Sequence, residues 1–410
     1  MIKCKIKDIV TLCSETLVPQ KGVAYHLYSL PSFDDGMQRE ELLGEEILSN
    51  KFVVPDKCIL FNKLNVRFKR VWRIDNADNN KLASTEFLPL IVDEDKVDFQ
   101  YCYYLLISDS ITKYLSGQTA NTSGSHKRIS PDDFLNIEVA LPERTEQKKI
   151  GGFLSSIDKK IDVNRATNQK LEALTKHIYD YWFVQFDFPD ENGKPYKSSG
   201  GKMVWNETLK REIPEGWEVK DIDSLCSFND RSLTTRTMPN RMLYLDTSNL
   251  TQNYITELQE LTSNFPSRAR RLVQNKTILY STVRPNQCHY GILINPENEL
   301  VVSTGFATID VNDEDVLSPY MLYSFLTTPS NVQYLHNIAV NAVSSYPSIN
   351  PSDIGQMKLA IPHNTSLMKD FNSRVADIYS KINTNCNEIK HLSELRSYLL
   401  PLLMTGQAKL

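Results

Sequence analysis

The chain contains itself twice, and a duplication of this size leaves few architectures open. Lys57-Cys58-Ile59-Leu60-Phe61 returns as Lys276-Thr277-Ile278-Leu279-Tyr280, a displacement of 219 residues (276 − 57). Ser84-Thr85 returns at the same displacement as Ser303-Thr304 (303 − 84). Asp95-Lys96-Val97, Tyr101 and Tyr104 align in that register with Glu314-Asp315-Val316, Tyr320 and Tyr323. Further along, Ile129-Ser130-Pro131-Asp132-Asp133 matches Ile349-Asn350-Pro351-Ser352-Asp353, and Leu141-Pro142 matches Ile361-Pro362. Upstream, Lys7-Asp8-Ile9 and Leu12-Cys13-Ser14 align with Lys220-Asp221-Ile222 and Leu225-Cys226-Ser227. Two copies of roughly 200 residues exclude a solenoid, whose repeats run to tens of residues. The expectation is two homologous modules related by a pseudo-two-fold.

Each copy changes texture once. Residues 1–140 and 213–360 are rich in short β-like runs such as Cys58–Phe61 and Thr277–Tyr280, with short helical runs at Tyr101–Leu106 and Tyr320–Leu326. Helical sequence follows. Between Glu146 and Phe186 there is no proline, and Ile150, Ile157, Asn164, Leu171 and Ile178 recur every seven residues, with Phe153, Leu174 and Tyr181 as the second apolar row. The second copy repeats this with Phe371, Ile378, Asn385, Leu392 and Leu399. This spacing predicts a coiled-coil seam between two long antiparallel helices. Pro142 and Pro362 stand just before the helices, where a missing N–H costs nothing. Asn164 and Asn385 take matching seam positions, where an amide fixes register at some cost in stability; the alternative is that both sit on a solvated shoulder of the helix. The predicted fold class is therefore mixed α/β (α+β), two duplicated α/β domains separated by two long helices. Expected boundaries are 1–141, 142–205, 206–361 and 362–410.

The bulk numbers bound the function. With 410 residues, 41% hydrophobic and 23% charged, the chain reads as a soluble protein of two to four domains. Neither a run of about 18 apolar residues nor a signal-peptide core is present, so neither membrane nor export is expected. Seven cysteines without a CxxC pair predict free thiols in a reducing cytoplasm, and Cys288-His289 alone supplies too few ligands for zinc. The net charge of -4 does not advertise a nucleic-acid binder, although a local basic face can still neutralise phosphates.

Catalytic signatures are missing. The sequence has no GxxxxGK[ST] loop, no GxGxxG after a strand and no HExxH. Asn295-Pro296 and Asn350-Pro351 lack the Pro-aromatic continuation of a base methyltransferase. A nuclease-like pattern of Pro55-Asp56 with Glu94-Asp95-Lys96, or Pro189-Asp190, reads better as solvated turns, because Asn312–Asp315 keeps no matching lysine. No catalytic residue and no metal ligand is expected. A stand-alone nuclease or methyltransferase is the competing class, and an assay of the purified chain separates it from a binding protein.

Binding residues are easier to nominate. Arg67, Lys69, Arg70 and Arg73 cluster in the first copy, and Arg268, Arg270, Arg271 and Arg284 in the second. A small polar segment precedes each Ile-x-Pro-x-Asp match. Ser123, Ser125, His126, Lys127 and Arg128 are its candidates in one copy, and Ser344, Ser345, Tyr346 and Ser348 in the other. Such side chains reach phosphates and base edges. Scattered arginines are more often plain solvated surface. The case rests on two segments whose sequences differ inside matching frames.

Four runs together resemble the specificity subunit of type I restriction–modification enzymes, over essentially the whole chain. They are Leu141-Pro142-Glu143-Arg144-Thr145-Glu146-Gln147, Tyr181-Trp182-Phe183-Val184-Gln185-Phe186-Asp187-Phe188, Ile213-Pro214-Glu215-Gly216-Trp217, and Leu399-Leu400-Pro401-Leu402-Leu403-Met404-Thr405-Gly406. The resemblance implies two target-recognition domains, each reading half of a bipartite asymmetric site on double-stranded DNA. It implies helical regions that set the spacer and dock two methyltransferase (M) subunits, and restriction (R) subunits that join the complex. S-adenosylmethionine, ATP and magnesium would belong to those partners, with no cofactor in this chain. A specificity-like scaffold of a methyltransferase-only or other phage-defence complex is the alternative. The sequence departs from the pattern where Leu367-Met368 replaces Glu146-Gln147 in the second copy.

Overall fold

β-Branched and aromatic runs fit a pleated, half-buried surface, and strands form where they occur. The computed structural model describes residues 2–118, 128–341 and 347–410. Lys57–Asn62 lies between Phe87–Val92 and Val71–Asp75, with Val10–Leu12 outside Phe87–Val92, all antiparallel. In the second copy, Ile278–Ser281 lies between Phe306–Val311 and Tyr290–Ile292, with Cys226–Phe228 outside. A second sheet in each copy is built on a parallel pair, Ala24–Tyr28 with Lys81–Ala83 and Met242–Leu245 with Leu300–Ser303. A third pairing ties Ile2–Lys5 to Glu138–Leu141, and Trp217–Asp221 to Lys358–Pro362. Strand order is thus duplicated along with sequence.

The structure corrects two of the residue alignments. Val92 and Val311 keep the displacement of 219 (311 − 92), each pairing with the first residue of the outer strand, Val10 or Cys226. Beyond them the displacement is 220. The turn bonds from Lys96 and Val97 to the Asp93 carbonyl recur as Val316 and Leu317 to Asp313 (313 − 93). Asn312 is the extra residue, so Tyr103 rather than Tyr104 corresponds to Tyr323. At the front edge, the bond from Ile6 N to Ile137 O recurs from Ile222 N to Met357 O, a displacement of 216 (222 − 6) rather than 213. The buried Ile6 and Ile222 hold that turn, while Lys7 and Asp8 face solvent, where identity is weakly constrained.

Two long helices follow, Arg144–Tyr179, extended by a π-helical turn Asp180–Val184, and Thr365–Met404. The row through Ile150, Ile157 and Asn164 is buried, and Leu171 and Ile178 are half-buried. The second row differs from expectation. Leu174 and Tyr181 are exposed, and Leu154, Ile161, Asn168, Thr175 and Trp182 are buried in their place. Two of those five are polar, which hides the row from a search for apolar residues. On the other helix, Asn385 is buried and Ile378, Leu392 and Leu399 are half-buried beside buried Val375, Ile382 and Ile389.

Contacts divide the chain into two compact units, Met1–Val163 with Ile389–Leu410, and Asn164–Glu388. The divisions fall inside the helices because each helix face belongs to a module core. In the first unit Ile150 and Leu154 join Leu403 and Met404 against Tyr101 and Phe134. Ile157 and Ile161 pack on Ile389, Leu392 and Leu395, so the two segments run antiparallel. In the second unit Tyr179, Trp182 and Phe183 meet Phe371, Val375 and Tyr379. There Asn385 Nδ2 donates to Asn168 Oδ1 at 2.7 Å, and Asn164 Nδ2 donates to Glu388 Oε2 at 2.8 Å. The two predicted seam asparagines are both buried and bond to other residues rather than to each other.

An orphaned buried amide costs more than its hydrogen bond is worth. Asn385→Ala is expected to lower stability by about 1–3 kcal/mol, leaving Asn168 partly unsatisfied. The Asn168→Leu/Asn385→Leu pair is expected to recover most of that loss in urea denaturation. A double variant as unstable as the sum of its singles would deny the coupling.

Candidate nucleic-acid interface

Each central strand leaves its sheet through an eight-residue turn, 63–70 in one unit and 282–289 in the other. Their hydrogen bonding is the same. The strand's last side chain caps the turn, Leu64 N donating to Asn62 Oδ1 at 2.8 Å and Val283 N to Ser281 Oγ at 3.2 Å. A single 3₁₀ turn follows, Val66–Phe68 or Pro285–Gln287. It is flanked by left-handed residues, Asn65 and Lys69 (φ 52° and 40°) or Arg284 and Cys288 (φ 48° and 57°). Non-glycine residues there are strained by of order 1–3 kcal/mol each, so the surrounding frame must hold them.

That frame reaches the small polar segments. Ile129 N donates to Lys63 O at 3.0 Å and Ile349 N to Thr282 O at 2.8 Å. Arg128 bridges Leu64, and Ser348 bridges Val283. The sequence candidates Lys69, Arg70 and Arg128 are therefore brought to one place, as are Arg284 and Ser348. Ser123, Ser125, His126, Lys127, Ser344, Ser345 and Tyr346 lie outside the described residues.

Most of the nominated cations are already paired. Arg70 forks onto Asp34 with two bonds of 2.7 Å, which raises its affinity for the proton. Arg128 does the same to Glu86, and its guanidinium holds that carboxyl below its ordinary 4.5. Lys69 bonds Asp109 and lowers that carboxyl likewise. Arg268 sits 3.6 Å from Asp246. Arg270 packs on Met238 Sδ at 2.7 Å. Arg271 donates to Ser232 Oγ at 2.9 Å, with its Nε buried and unsatisfied. Arg73 is internal, bonding Gln100 and lying over the Tyr103 ring at 5.1 Å. Among the described residues Arg67 and Arg284 meet no carboxylate.

The nuclease-like pattern dissolves into separate ion pairs, Asp56 with Lys81 at 2.8 Å and Asp93 with Lys96 at 2.8 Å. Among the described residues no group of His, Cys, Asp and Glu side chains could hold a metal, and no helix is long and apolar enough to cross a membrane. All seven cysteines are unpaired, and burial pushes the Cys58, Cys102 and Cys226 thiols up to about 12. His289, the neighbour of Cys288, holds the Leu250 carbonyl at 2.7 Å.

Several residues of the runs that carried the resemblance hold the fold together. Trp217 stacks 5.4 Å from Phe188 and meets Phe186 edge-on at 5.3 Å, joining two of the four runs. Gly216 permits the preceding turn at φ 80°. Gln147 Oε1 accepts from Asp98 N at 2.9 Å and its Nε2 donates to Pro142 O at 2.9 Å, tying helix to module. Met368 does that work by burial alone in the second unit.

A duplicated frame with strained turns and polar tips defines a protein of two matched modules. Residues 4–173 match the family model of the type I restriction modification DNA specificity domain. The chain is 24% identical over 344 residues to the type I restriction enzyme MjaIX specificity subunit of Methanocaldococcus jannaschii, covering 80% of this chain and 74% of that one. It is 22% identical over 404 residues to the HindI specificity subunit of Haemophilus influenzae, covering 85% and 86%. The fold is that of the S subunit of a type I restriction–modification system from M. genitalium, with a TM-score of 0.60, 15% identity, and 98% and 95% coverage. Over most of its length the chain is thus similar to specificity subunits of type I restriction–modification systems, and its residues 4–173 match their DNA specificity domain.

The Glu86 carboxyl is depressed by Arg128, so their pairing stabilises the fold above the ordinary carboxyl value and is lost as pH falls through the folded value. Arg128→Ala is expected to raise the Glu86 midpoint toward 4.5 in an NMR titration and to shrink the acid-side loss of stability. An unmoved midpoint would mean that another donor sets it.

Proposed function

We propose that this chain supplies the sequence specificity of a type I restriction–modification complex. Each module reads one half of a bipartite, asymmetric site on double-stranded DNA, and the long helices fix the spacer and dock two methyltransferase subunits. Restriction subunits complete the assembly, and S-adenosylmethionine, ATP and magnesium act in those partners. The carrying observation is the pair of turns with one hydrogen-bonded frame and different side chains at their tips. A shared frame gives both modules the same approach to DNA, and different tips give each half-site its own sequence. Two modules on one ligand also gain by effective concentration, so neither need bind tightly alone. Spacing set by a rigid connection parallels the way protein symmetry sets half-site separation in dimeric DNA-binding proteins.

The test is co-expression with the neighbouring methyltransferase subunit and sequencing of methylated bases in the host. A two-part motif with a constant spacer, lost when this gene is deleted, is the expected result. An unchanged methylation pattern in a host where the complex assembles would overturn the reading.

A further inference from the structure

The two strained turns share their backbone and differ in side chains, most plainly at their exposed tips. Val66 and Pro285 occupy the first turn position and are buried. The next two residues face solvent in both units, Arg67-Phe68 in one and Asn286-Gln287 in the other. Phe68 is 52% exposed, and the guanidinium groups of Arg67 and Arg70 lie 4.8 Å and 4.9 Å from its ring centroid. The side-chain amides of Asn286 and Gln287 have no hydrogen-bond partner among the described residues.

Each tip is costly as a mere surface. Phe68 leaves an aromatic face in water, and both turns hold two non-glycine residues in the left-handed region. The same side chains suit base pairs. Asparagine and glutamine match the adenine N6 and N7 edge, arginine matches guanine O6 and N7, and an exposed aromatic ring can stack on or wedge between bases. Arg70 is fixed by its fork onto Asp34, so the ring it covers is presented in one orientation, and Arg67 keeps its donors unspent.

We propose that these tips read the bases: Arg67 and Phe68 for one half-site, Asn286 and Gln287 for the other. The inference rests on the DNA-reading function proposed above. It assigns direct base contact to residues of which three, Phe68, Asn286 and Gln287, carry no charge and stand in no sequence repeat.

The test uses the chain in complex with its methyltransferase subunits. Wild-type and variant complexes are compared in affinity for cognate and unrelated duplexes and in the methylated motif. Arg67→Ala and Phe68→Ala are each expected to relax one half of the motif and to weaken cognate binding roughly tenfold, sparing unrelated DNA. Asn286→Ala and Gln287→Ala are expected to relax only the other half. The milder Phe68→Leu and Gln287→Glu serve where an alanine variant fails to assemble. Unchanged motifs in all four alanine variants, with wild-type affinity, would overturn the assignment. So would an equal loss on cognate and unrelated DNA, which marks phosphate contacts. A wild-type complex that assembles but prefers no sequence would instead overturn the DNA-reading function itself.

Discussion

Inside each unit, a core is closed by two helix segments that lie far apart in the chain. Leu154 shares a core with Met404 across 250 residues (404 − 154), and Trp182 meets Phe371 across 189 (371 − 182), with their rings 5.8 Å apart. Neither segment could bury its apolar face alone. Loop closure over such distances costs only slightly more than over shorter ones, but it must be met before any contact rewards it. The modules therefore depend on the helices as much as the helices depend on the modules. The turns that present the candidate reading tips inherit their rigidity from this closure, since their strained residues need a fixed frame.

The polar contacts of the helices make the closure specific. In the first unit Asp158 accepts from Tyr104 Oη at 2.5 Å and from Arg396 Nη1 at 2.5 Å. The corresponding residues in the second unit are Tyr379 (379 − 158 = 221), Ser324 (324 − 104 = 220) and Thr175 (396 − 175 = 221). Tyr379 there bonds Thr175 and Ser324, and burial drives its phenol well above the ordinary range. One position thus holds an ion pair in one unit and a neutral cluster in the other. Exchanging one helix segment for its counterpart would set Arg396 against a tyrosine or Asp158 against a threonine, leaving a half-buried charge unpaired. After duplication, each half has become committed to its own partner segment.

How far the sequence could be read follows from which residues carry each feature. The duplication was legible because strand cores such as Ile59-Leu60 and Ile278-Leu279 tolerate few substitutions. The slip at Asn312 was hidden, since one added turn residue shifts the register without disturbing either flank. Leu174 and Tyr181 looked like seam residues because they are apolar. The buried row runs through Asn168 and Thr175 instead, where hydrogen bonds replace apolar contact. Clustered charge pointed to Arg67, Lys69 and Arg70. It also pointed to Arg73, which strand alternation turns inward against Gln100. Asn286 and Gln287 gave no signal, and only the shared backbone of the two turns shows that they hold the positions that Arg67 and Phe68 hold in the other unit.

The distribution of charge explains how a chain of net charge -4 can serve a polyanion. In the free protein Arg70, Lys69 and Arg128 are held by Asp34, Asp109 and Glu86, so a phosphate must compete with a carboxylate for each. Exposed pairs of this kind are worth about 0–1 kcal/mol, so the competition is close to balanced. Such a surface gains little from unspecific phosphate contact, because each new pair replaces an old one. The base-directed contacts at the tips replace nothing within the protein: Arg67 meets no carboxylate, and the amides of Asn286 and Gln287 meet no partner, among the described residues. A balanced electrostatic background with unspent donors at two turns shifts the preference from DNA in general toward a particular sequence, which is the property a specificity subunit requires.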